Sequence, residues 1–181
     1  MIAVPDGAEL EAEVAGGIRL YDVSALLPQH DVERYPPRDP ALIEVAFVHH
    51  SGALGPDGYE RIEASARFPV GGEWQGEEWG RDWPGFAYTF WLPHARVVDD
   101  DGALVLYRGQ PDNVRSYHTG GAANGTGIAL ALQGNTDSNA DGLSPFQIEL
   151  LEGFLPWLMV EYGLVHGQIV GHCESKPWGG S

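Results

Sequence analysis

Two histidines follow short apolar runs that are rich in β-branched residues, a pattern typical of buried strands. His49 comes directly after Phe47-Val48, and His172 follows Ile169-Val170-Gly171. Neighbouring strand ends in one sheet are rigid and can aim two side chains at a single point. A neutral imidazole is the commonest zinc ligand, and a catalytic zinc site uses about three protein ligands and leaves one position for water. The pair fits a metal site, although histidines at strand ends more often only form hydrogen bonds at a sheet edge.

Several apolar runs supply the strands that would position these side chains. They predict strands over residues 43–48, 86–92, 103–107, 127–132 and 168–170. The fourth run is small or apolar at every position, which predicts a strand that is buried on both faces. The second run contains Tyr88, and on the residues alone this tyrosine is best explained as core packing.

Two helices are predicted between the strands, over residues 57–68 and from Ser144 to about Gly163. The second helix has the clearer start, because Gln147 completes a capping box with Ser144. Pro156 lies inside it and predicts a kink or a break into two helices. Since strands and helices alternate along the chain, the predicted fold class is α/β, with a single mixed β-sheet flanked by helices.

The charge balance excludes one class of partner. Ten Lys and Arg residues stand against 26 Asp and Glu residues, which gives a formal net charge of -16. Nucleic acids are bound through basic patches that displace counterions, so we expect neither a nucleic acid nor an anionic membrane surface as a partner. No apolar stretch has the length needed to span a bilayer, and we expect no membrane insertion. Cys173 is the single cysteine, so it can form no internal disulfide.

The length of 181 residues suits one domain. Residues 1–40 are rich in Pro, Asp and Glu and are expected to form an N-terminal arm that wraps the core, while residues 41–181 form the domain itself. Trp74, Trp79 and Trp83 lie in a Gly-rich loop between the first helix and the next strand. These three indoles could line a groove for a glycan or anchor the loop, and composition does not decide between the two.

Six short motifs follow one another in a recognisable order. They are a strand ending in His49-His50-Ser51-Gly52, then Tyr88-Thr89-Phe90, Tyr107-Arg108-Gly109, Tyr117-His118-Thr119-Gly120, a helix that starts with Pro and Gln, and Gly171-His172. Together they resemble the N-acetylmuramoyl-L-alanine amidase family (amidase type 2), which includes the T7-type phage lysozymes and the peptidoglycan recognition proteins. The resemblance covers about residues 42–178, which is most of the chain.

This resemblance implies roles for five residues. His49 and His172 match the two zinc-binding histidines of the family. Tyr88 matches the tyrosine whose phenol assists the reaction, and His118 matches a histidine that lines the cleft. With Tyr88, His118 or Lys176 would stabilise the tetrahedral oxyanion or help to protonate the leaving amine. The implied cofactor is Zn²⁺.

The third zinc ligand departs from the family's pattern. The family places a Cys or Asp several residues after the second histidine, where this chain has only Cys173 to Ser181. Cys173 is adjacent to His172 and would point to the opposite face of a strand, so we expect it to be a buried thiol. Glu174 would return to the face of His172 and could reach the metal. Two explanations stay open: a third ligand that lies beyond Ser181, or a native end with a weakened or lost zinc site.

The function that the resemblance implies is zinc-dependent hydrolysis of the amide bond between N-acetylmuramic acid and L-alanine in peptidoglycan, as in a phage endolysin. The alternative is a non-catalytic domain of the same fold that binds peptidoglycan or muropeptides. Peptidoglycan is the expected partner in both cases, and we expect a monomer. The amino terminus lacks the features of a signal peptide, so we expect synthesis in the cytoplasm. Holin release or virion delivery would carry a phage enzyme to the wall, although a cytoplasmic amidase that recycles wall fragments fits as well.

Overall fold

The computed structural model describes residues 4–52, 58–70, 72–74, 77–79, 83–134 and 142–180. The strands in this part of the chain are β1 (Glu9–Val14), β2 (Ile18–Asp22), β3 (Val45–His50), β4 (Gly72–Trp74), β5 (Glu77–Trp79), β6 (Phe90–Leu92), β7 (Leu104–Arg108), β8 (Gly127–Leu132) and β9 (Ile169–Gly171). The α-helices are α1 (Tyr59–Val70), α2 (Ala123–Thr126) and α3 (Pro145–Glu161). Across these described ranges, no helix combines the length and the apolar character that crossing a membrane requires.

Seven of the strands form one mixed sheet in the order β1-β2-β7-β6-β8-β3-β9. The pairs β2–β7, β6–β8, β8–β3 and β3–β9 are parallel, whereas β1–β2 and β6–β7 are antiparallel. β4 and β5 pair with each other in a small antiparallel sheet. The main sheet is therefore mixed and accompanied by helices, and the predicted fold class is confirmed.

Alternating side chains of the central strands divide the interior into two layers. In β8, Leu130 belongs to the layer that α3 covers, and Ala131 belongs to the layer that contains α1. All six residues of β8 are buried, as predicted for a strand with both faces covered. In β3, Val48 packs into the α3 layer. Because successive side chains point to opposite faces, His49 is directed to the other side of the sheet.

The start of α3 matches its prediction, and of the two outcomes expected at Pro156, a kink or a break into two helices, the break does not occur. The Ser144 hydroxyl accepts the N–H of Gln147 at 3.1 Å, and the Gln147 side chain accepts the N–H of Ser144 at 3.2 Å, which completes the capping box. The helix continues through Pro156 to Glu161 as one element. Pro156 lies on the exposed side, where water can replace the lost hydrogen bond, while the buried Phe154 holds the opposite side against the sheet.

The strand predicted over residues 86–92 is shorter than expected and begins only at Phe90. The Phe86 carbonyl accepts a hydrogen bond from the Gln110 side-chain amide at 2.8 Å, so a side chain stands where a strand partner would be. Gly109 allows the chain to pass closely, because a Cβ atom at that position would lie 2.4 Å from the Phe86 ring. Tyr88 consequently lies in the segment that leads into β6.

Residues 1–40, expected as an N-terminal arm, contribute two strands to the main sheet. β1 and β2 form one edge, where β2 pairs in parallel with β7. The segment after β2 forms two isolated antiparallel bridges, one between Gln29 and Gly85 and one between Pro37 and Val114. Residues 4–40 therefore contribute strands to the sheet and pair with the loops that precede β6 and α2.

A buried arginine fastens β1 to the rest of the sheet. The Arg108 side chain, 6% exposed, forms ion pairs with Glu11 of β1 at 2.5 Å and with Asp112 at 2.6 Å. It also donates to the Tyr162 hydroxyl at 3.2 Å and lies 4.7 Å from the centroid of the Phe90 ring. These contacts connect β1, β7 and the residue that ends α3.

We expect Arg108→Met to lower the free energy of unfolding by about 3 kcal/mol, because the buried side of both ion pairs would be lost and the half-buried carboxylates of Glu11 and Asp112 would lose their counter-charge. The matched control is Arg96→Met, which removes an exposed ion pair with Glu149 at 2.8 Å and should cost less than about 1 kcal/mol. Urea unfolding of the three proteins measures both effects. Equal losses for the two variants would contradict the structural role of Arg108.

Candidate functional site

The two histidines singled out from the sequence meet where β3 and β9 end. Parallel pairing sets Val48 beside Gly171, and His49 and His172 are the next residues of the two chains. Their Nδ1 atoms lie 3.0 Å apart and their ring centroids 4.5 Å apart. Two imidazoles separated by more than a hundred residues of sequence thus face each other across a short gap.

His49 is held as a neutral imidazole. Its residue is 6% exposed, and burial, reinforced by the nearby histidines, lowers its pKa from 6.5 to about 2. Its Nε2 atom is buried and forms no hydrogen bond within the part of the chain that the structure describes. A neutral ring keeps one nitrogen lone pair available, which is the form that binds a metal.

His118 forms the floor of the same site and has a fixed tautomer. Asn124 organises the turn around it, because the Asn124 side-chain oxygen accepts the N–H groups of His118 at 3.0 Å and of Thr119 at 2.9 Å. His118 Nε2 lies 3.2 Å from the carbonyl oxygen of Gly127. Since a carbonyl can only accept, Nε2 carries the proton and Nδ1 has the free lone pair. Burial lowers the pKa of His118 to about 3, so the ring stays neutral at physiological pH.

Tyr88 and His118 flank His49 on two sides. The centroid of the Tyr88 ring lies 5.2 Å from that of His49, and the His118 ring meets His49 edge-on at 5.4 Å. Tyr88 also packs against Phe86 at 5.5 Å. Tyr88, His49, His118, His172 and Lys176 all line one cleft. The structure thus places in one cavity the five residues to which the sequence assigned a role.

Two expectations about the residues after His172 are corrected by the local backbone. β9 ends at Gly171, and His172–Glu174 form a turn of 3-10 helix, so the strand alternation that we assumed does not apply. Cys173 is an exposed thiol on this turn, not the buried one that we expected. The Glu174 carboxylate accepts the backbone N–H of Gly171 at 2.8 Å and so closes the turn.

The residues present fit a metal ion in part. Zinc binds nitrogen ligands at about 2.0–2.1 Å, so the Nδ1 atoms of His49 and His172, 3.0 Å apart, can both bind one ion. The neutral state of His49 suits this role. Across the described ranges, no group of three or more His, Cys, Asp or Glu side chains is placed to hold a metal. The described site therefore offers a pair of protein ligands, and a third stays unassigned.

The cleft above the histidines has a volume of about 940 Å³. Tyr117 and Trp83 line it and meet edge-on at 5.9 Å, and Tyr35 supports Tyr117 from behind at 5.0 Å. The Tyr35 hydroxyl donates to the Gly85 carbonyl at 2.7 Å. Trp83 thus lines the groove, as one of our two interpretations had it, whereas the side chains of Trp74 and Trp79 lie outside the described residues.

Arg61 also lines the cleft, and the sequence interpretation did not select it. It belongs to α1 together with two other lining residues, Ala64 and Ser65. Ile62 and Ala66 form the buried side of this helix. Which of the remaining sides faces the cleft depends on how α1 packs on the sheet, and the chain contains no local signal for that.

The architecture was compared with known families, curated sequences and solved structures, and only solved structures match it. No model of a known protein family matches the chain, and no curated protein sequence does either. Among solved structures, the chain resembles the N-acetylmuramoyl-L-alanine amidase LysC from Clostridium intestinale URNW, with a TM-score of 0.54 and 20% identity over 86% of this chain and 83% of that one. It also resembles the Ph2119 endolysin from the Thermus scotoductus MAT2119 bacteriophage Ph2119, with a TM-score of 0.57 and 19% identity over 86% of each chain.

A third similar structure is the complex of tracheal cytotoxin with the ectodomains of peptidoglycan recognition proteins LCa and LCx. The match has a TM-score of 0.60 and 17% identity, and it covers 85% of this chain and 84% of that chain. At these identities the likeness shows the fold. The fold is that of the amidases and peptidoglycan recognition proteins whose motifs the sequence resembles, as predicted.

The buried His118 makes a specific prediction for the pH dependence of stability. Its pKa is about 3 in the folded protein and 6.5 in the unfolded chain. Below pH 6.5 His118 is therefore protonated in the unfolded chain while it stays neutral in the folded protein. This protonation stabilises the unfolded chain, so the free energy of unfolding is highest above pH 6.5 and falls as the pH is lowered towards 3. Between pH 7 and pH 5 this loss amounts to about 2 kcal/mol.

We expect the free energy of unfolding of His118→Gln to depend less steeply on pH than that of the wild type, whatever the absolute stability of the variant. Urea unfolding of the wild type and the variant at pH 7, 6 and 5, in the presence of a chelator, measures the two slopes. Parallel slopes would show that His118 does not titrate differently in the two states.

Proposed function

We propose that the chain is a zinc-dependent N-acetylmuramoyl-L-alanine amidase, which hydrolyses the amide bond between N-acetylmuramic acid and L-alanine in peptidoglycan. The observation that carries the proposal is the pair of facing imidazoles, His49 and His172, at the base of a large cleft. The fold, shared with solved amidases and with an endolysin, supports the same assignment.

In this proposal His49 and His172 would hold the zinc, and their facing Nδ1 atoms are the nitrogens available for it. When bound, the metal supplies a water molecule of lowered pKa and a Lewis acid for the scissile carbonyl. The low pKa of His49 keeps its ring neutral, so no proton competes for the ligand position. His172 is exposed at the cleft, which leaves room on its side for a substrate.

The remaining residues of the cleft would stabilise the oxyanion and protonate the leaving amine. A tetrahedral oxyanion needs a hydrogen-bond donor, and the Tyr88 phenol beside His49 is such a donor. Lys176 lines the same cleft and carries three donors and a positive charge, which suits it to protonate the leaving amine. His118 is different, because its only proton is committed to the Gly127 carbonyl. Its Nδ1 is buried and carries no proton, so the neutral ring cannot donate to the oxyanion.

Peptidoglycan is the partner that the solved structures favour. Tracheal cytotoxin is bound in the complex of recognition proteins LCa and LCx, and in that of recognition protein LE it is described as monomeric diaminopimelic acid-type peptidoglycan. The aromatic wall of Trp83 and Tyr117 offers apolar ring surface beside the histidines. Such a wall suits the faces of sugar rings as well as peptide groups.

A second candidate is a non-catalytic domain that binds peptidoglycan fragments. One observation favours it: the described residues provide two zinc ligands and no third. The same cleft and the same aromatic wall would serve a binding protein equally well. The two candidates differ only in whether the bound amide is hydrolysed, so an assay of the reaction separates them.

We expect purified peptidoglycan to release new alanine amino termini when incubated with the protein and zinc, and we expect a chelator to abolish the release. His172→Ala should lower the rate more than about a hundredfold, because it removes one ligand of the metal. The matched control is His166→Ala, an exposed histidine outside the cleft lining, which should keep the wild-type rate.

Titration calorimetry with zinc provides a readout that does not depend on activity. The wild type and His166→Ala should bind zinc, and His172→Ala should bind it more weakly. Binding of muropeptides without release of alanine amino termini would favour the second candidate. Failure to bind or to hydrolyse them would contradict both.

Tyr88→Phe should lower kcat by roughly a hundredfold, because the substitution removes only the hydroxyl that donates to the oxyanion. Zinc affinity should not change. Tyr59→Phe is the matched control, since the Tyr59 hydroxyl donates to the Leu26 carbonyl at 3.2 Å and does not belong to the cleft lining. Steady-state hydrolysis of a soluble muropeptide gives kcat for each variant, and an unchanged kcat in Tyr88→Phe would remove the phenol from the mechanism.

A further inference from the structure

Two ring nitrogens inside the site lack a hydrogen-bond partner in the part of the chain that the structure describes. They are His49 Nε2 and His118 Nδ1, and both atoms are shielded from solvent. The other nitrogen of each ring is accounted for. His49 Nδ1 lies 3.0 Å from His172 Nδ1, and His118 Nε2 lies 3.2 Å from the Gly127 carbonyl oxygen. Buried polar atoms are nearly always paired, so these two nitrogens require an explanation.

The two atoms complement each other in one tautomer of His49. The rings are only 6% and 8% exposed, which favours their uncharged forms. An uncharged imidazole has one N–H group and one lone pair. Because His118 donates from Nε2 to Gly127, its Nδ1 atom is an acceptor. His49 Nε2 is the matching donor only when the proton of His49 lies on that atom. In the other tautomer two buried lone pairs would stay unpaired, which is unfavourable in a poorly solvated interior.

The positions of the two rings suit such a hydrogen bond. They meet edge-on, with an interplanar angle of 87° and centroids 5.4 Å apart. Two imidazoles joined by a hydrogen bond of about 3 Å have centroids roughly 5 Å apart, so a small ring rotation completes the contact. His118 is itself well anchored. Asn124 binds its backbone N–H at 3.0 Å, and the Phe47 ring packs against its imidazole at 5.7 Å.

We propose that His118 is a positioning residue, which accepts a hydrogen bond from His49 Nε2–H and holds His49 in the tautomer whose Nδ1 lone pair faces His172 and the cleft. This inference deepens the proposed function, because a metal ligand needs that lone pair and a partner that fixes the other nitrogen. The tautomer is also a property of the protein without metal, so it can be tested separately. His118 acts through His49 and touches neither the metal nor the substrate.

The first test is NMR spectroscopy of the wild type at neutral pH, with nitrogen-15 in the histidine rings and a chelator present. The ring nitrogen signals report which nitrogen carries the proton. We expect the proton of His49 on Nε2, slow exchange of this proton with water, and a scalar coupling across the hydrogen bond to Nδ1 of His118. The variants His49→Gln and His118→Gln identify the signals of the two rings.

The second test measures zinc affinity by calorimetry. His118→Phe keeps a ring but removes the acceptor, and it should weaken zinc binding about tenfold, a typical effect of losing the partner of a metal-bound imidazole. His118→Gln keeps an oxygen acceptor and an N–H donor for the Gly127 carbonyl, so its affinity should lie within about threefold of the wild type. The matched control is His166→Phe at an exposed position outside the cleft lining, which should bind zinc as the wild type does.

The possible failures are distinguishable. A proton on Nδ1 of His49 in the chelated wild type, or an Nε2 proton that exchanges as fast as that of an exposed histidine, would overturn the inference and leave the proposed amidase function standing. Equally weak zinc binding by His118→Gln and His118→Phe would also overturn it, because only packing would then be at stake. Failure of the wild type to bind zinc would overturn the proposed function, while the tautomer in the chelated protein would still decide the role of His118.

Discussion

Parallel hydrogen bonding between β3 and β9 sets Val48 beside Gly171, and the candidate site depends on that register. The next residue of each chain is a histidine, and the two Nδ1 atoms come to 3.0 Å. A slip of one residue in β3 would direct His49 into the apolar layer under α3 and away from His172. The register is held from the other side as well, because β3 pairs along its whole length with β8, whose residues are all buried.

The two faces of the sheet differ in character, because one is apolar and the other carries the histidines of the cleft. The face under α3 is an apolar layer that includes Phe90, Leu130, Phe154 and Leu158. The opposite face carries apolar packing under α1 and, next to it, the histidines of the cleft. Burying His49 and His118 has a free-energy cost, which is visible in their low pKa values. The packing of the α3 face is what allows the fold to tolerate polar groups on the other.

The first forty residues connect the stability of the sheet to the shape of the cleft. β1 and β2 extend the sheet and are secured through Glu11 and Arg108. Further along, Tyr35 packs behind Tyr117 and holds the Gly85 carbonyl, so this segment supports the aromatic wall from outside.

The sequence by itself determined the features that depend on local pattern: the strand before His49, the capping box of Ser144, the doubly buried β8 and the α/β class. The resemblance of its short motifs to the amidase family singled out His49, His172, Tyr88 and His118, and with them Lys176, whereas the residue pattern alone would have left Tyr88 as core packing. The tertiary structure decided what depends on packing between distant segments. Pro156 stays inside a continuous helix because Phe154 is held by the sheet, and Cys173 is exposed because a 3-10 turn replaces the end of β9. Arg61 became visible only there, since the orientation of α1 is set by the sheet against which it packs and not by its own residues.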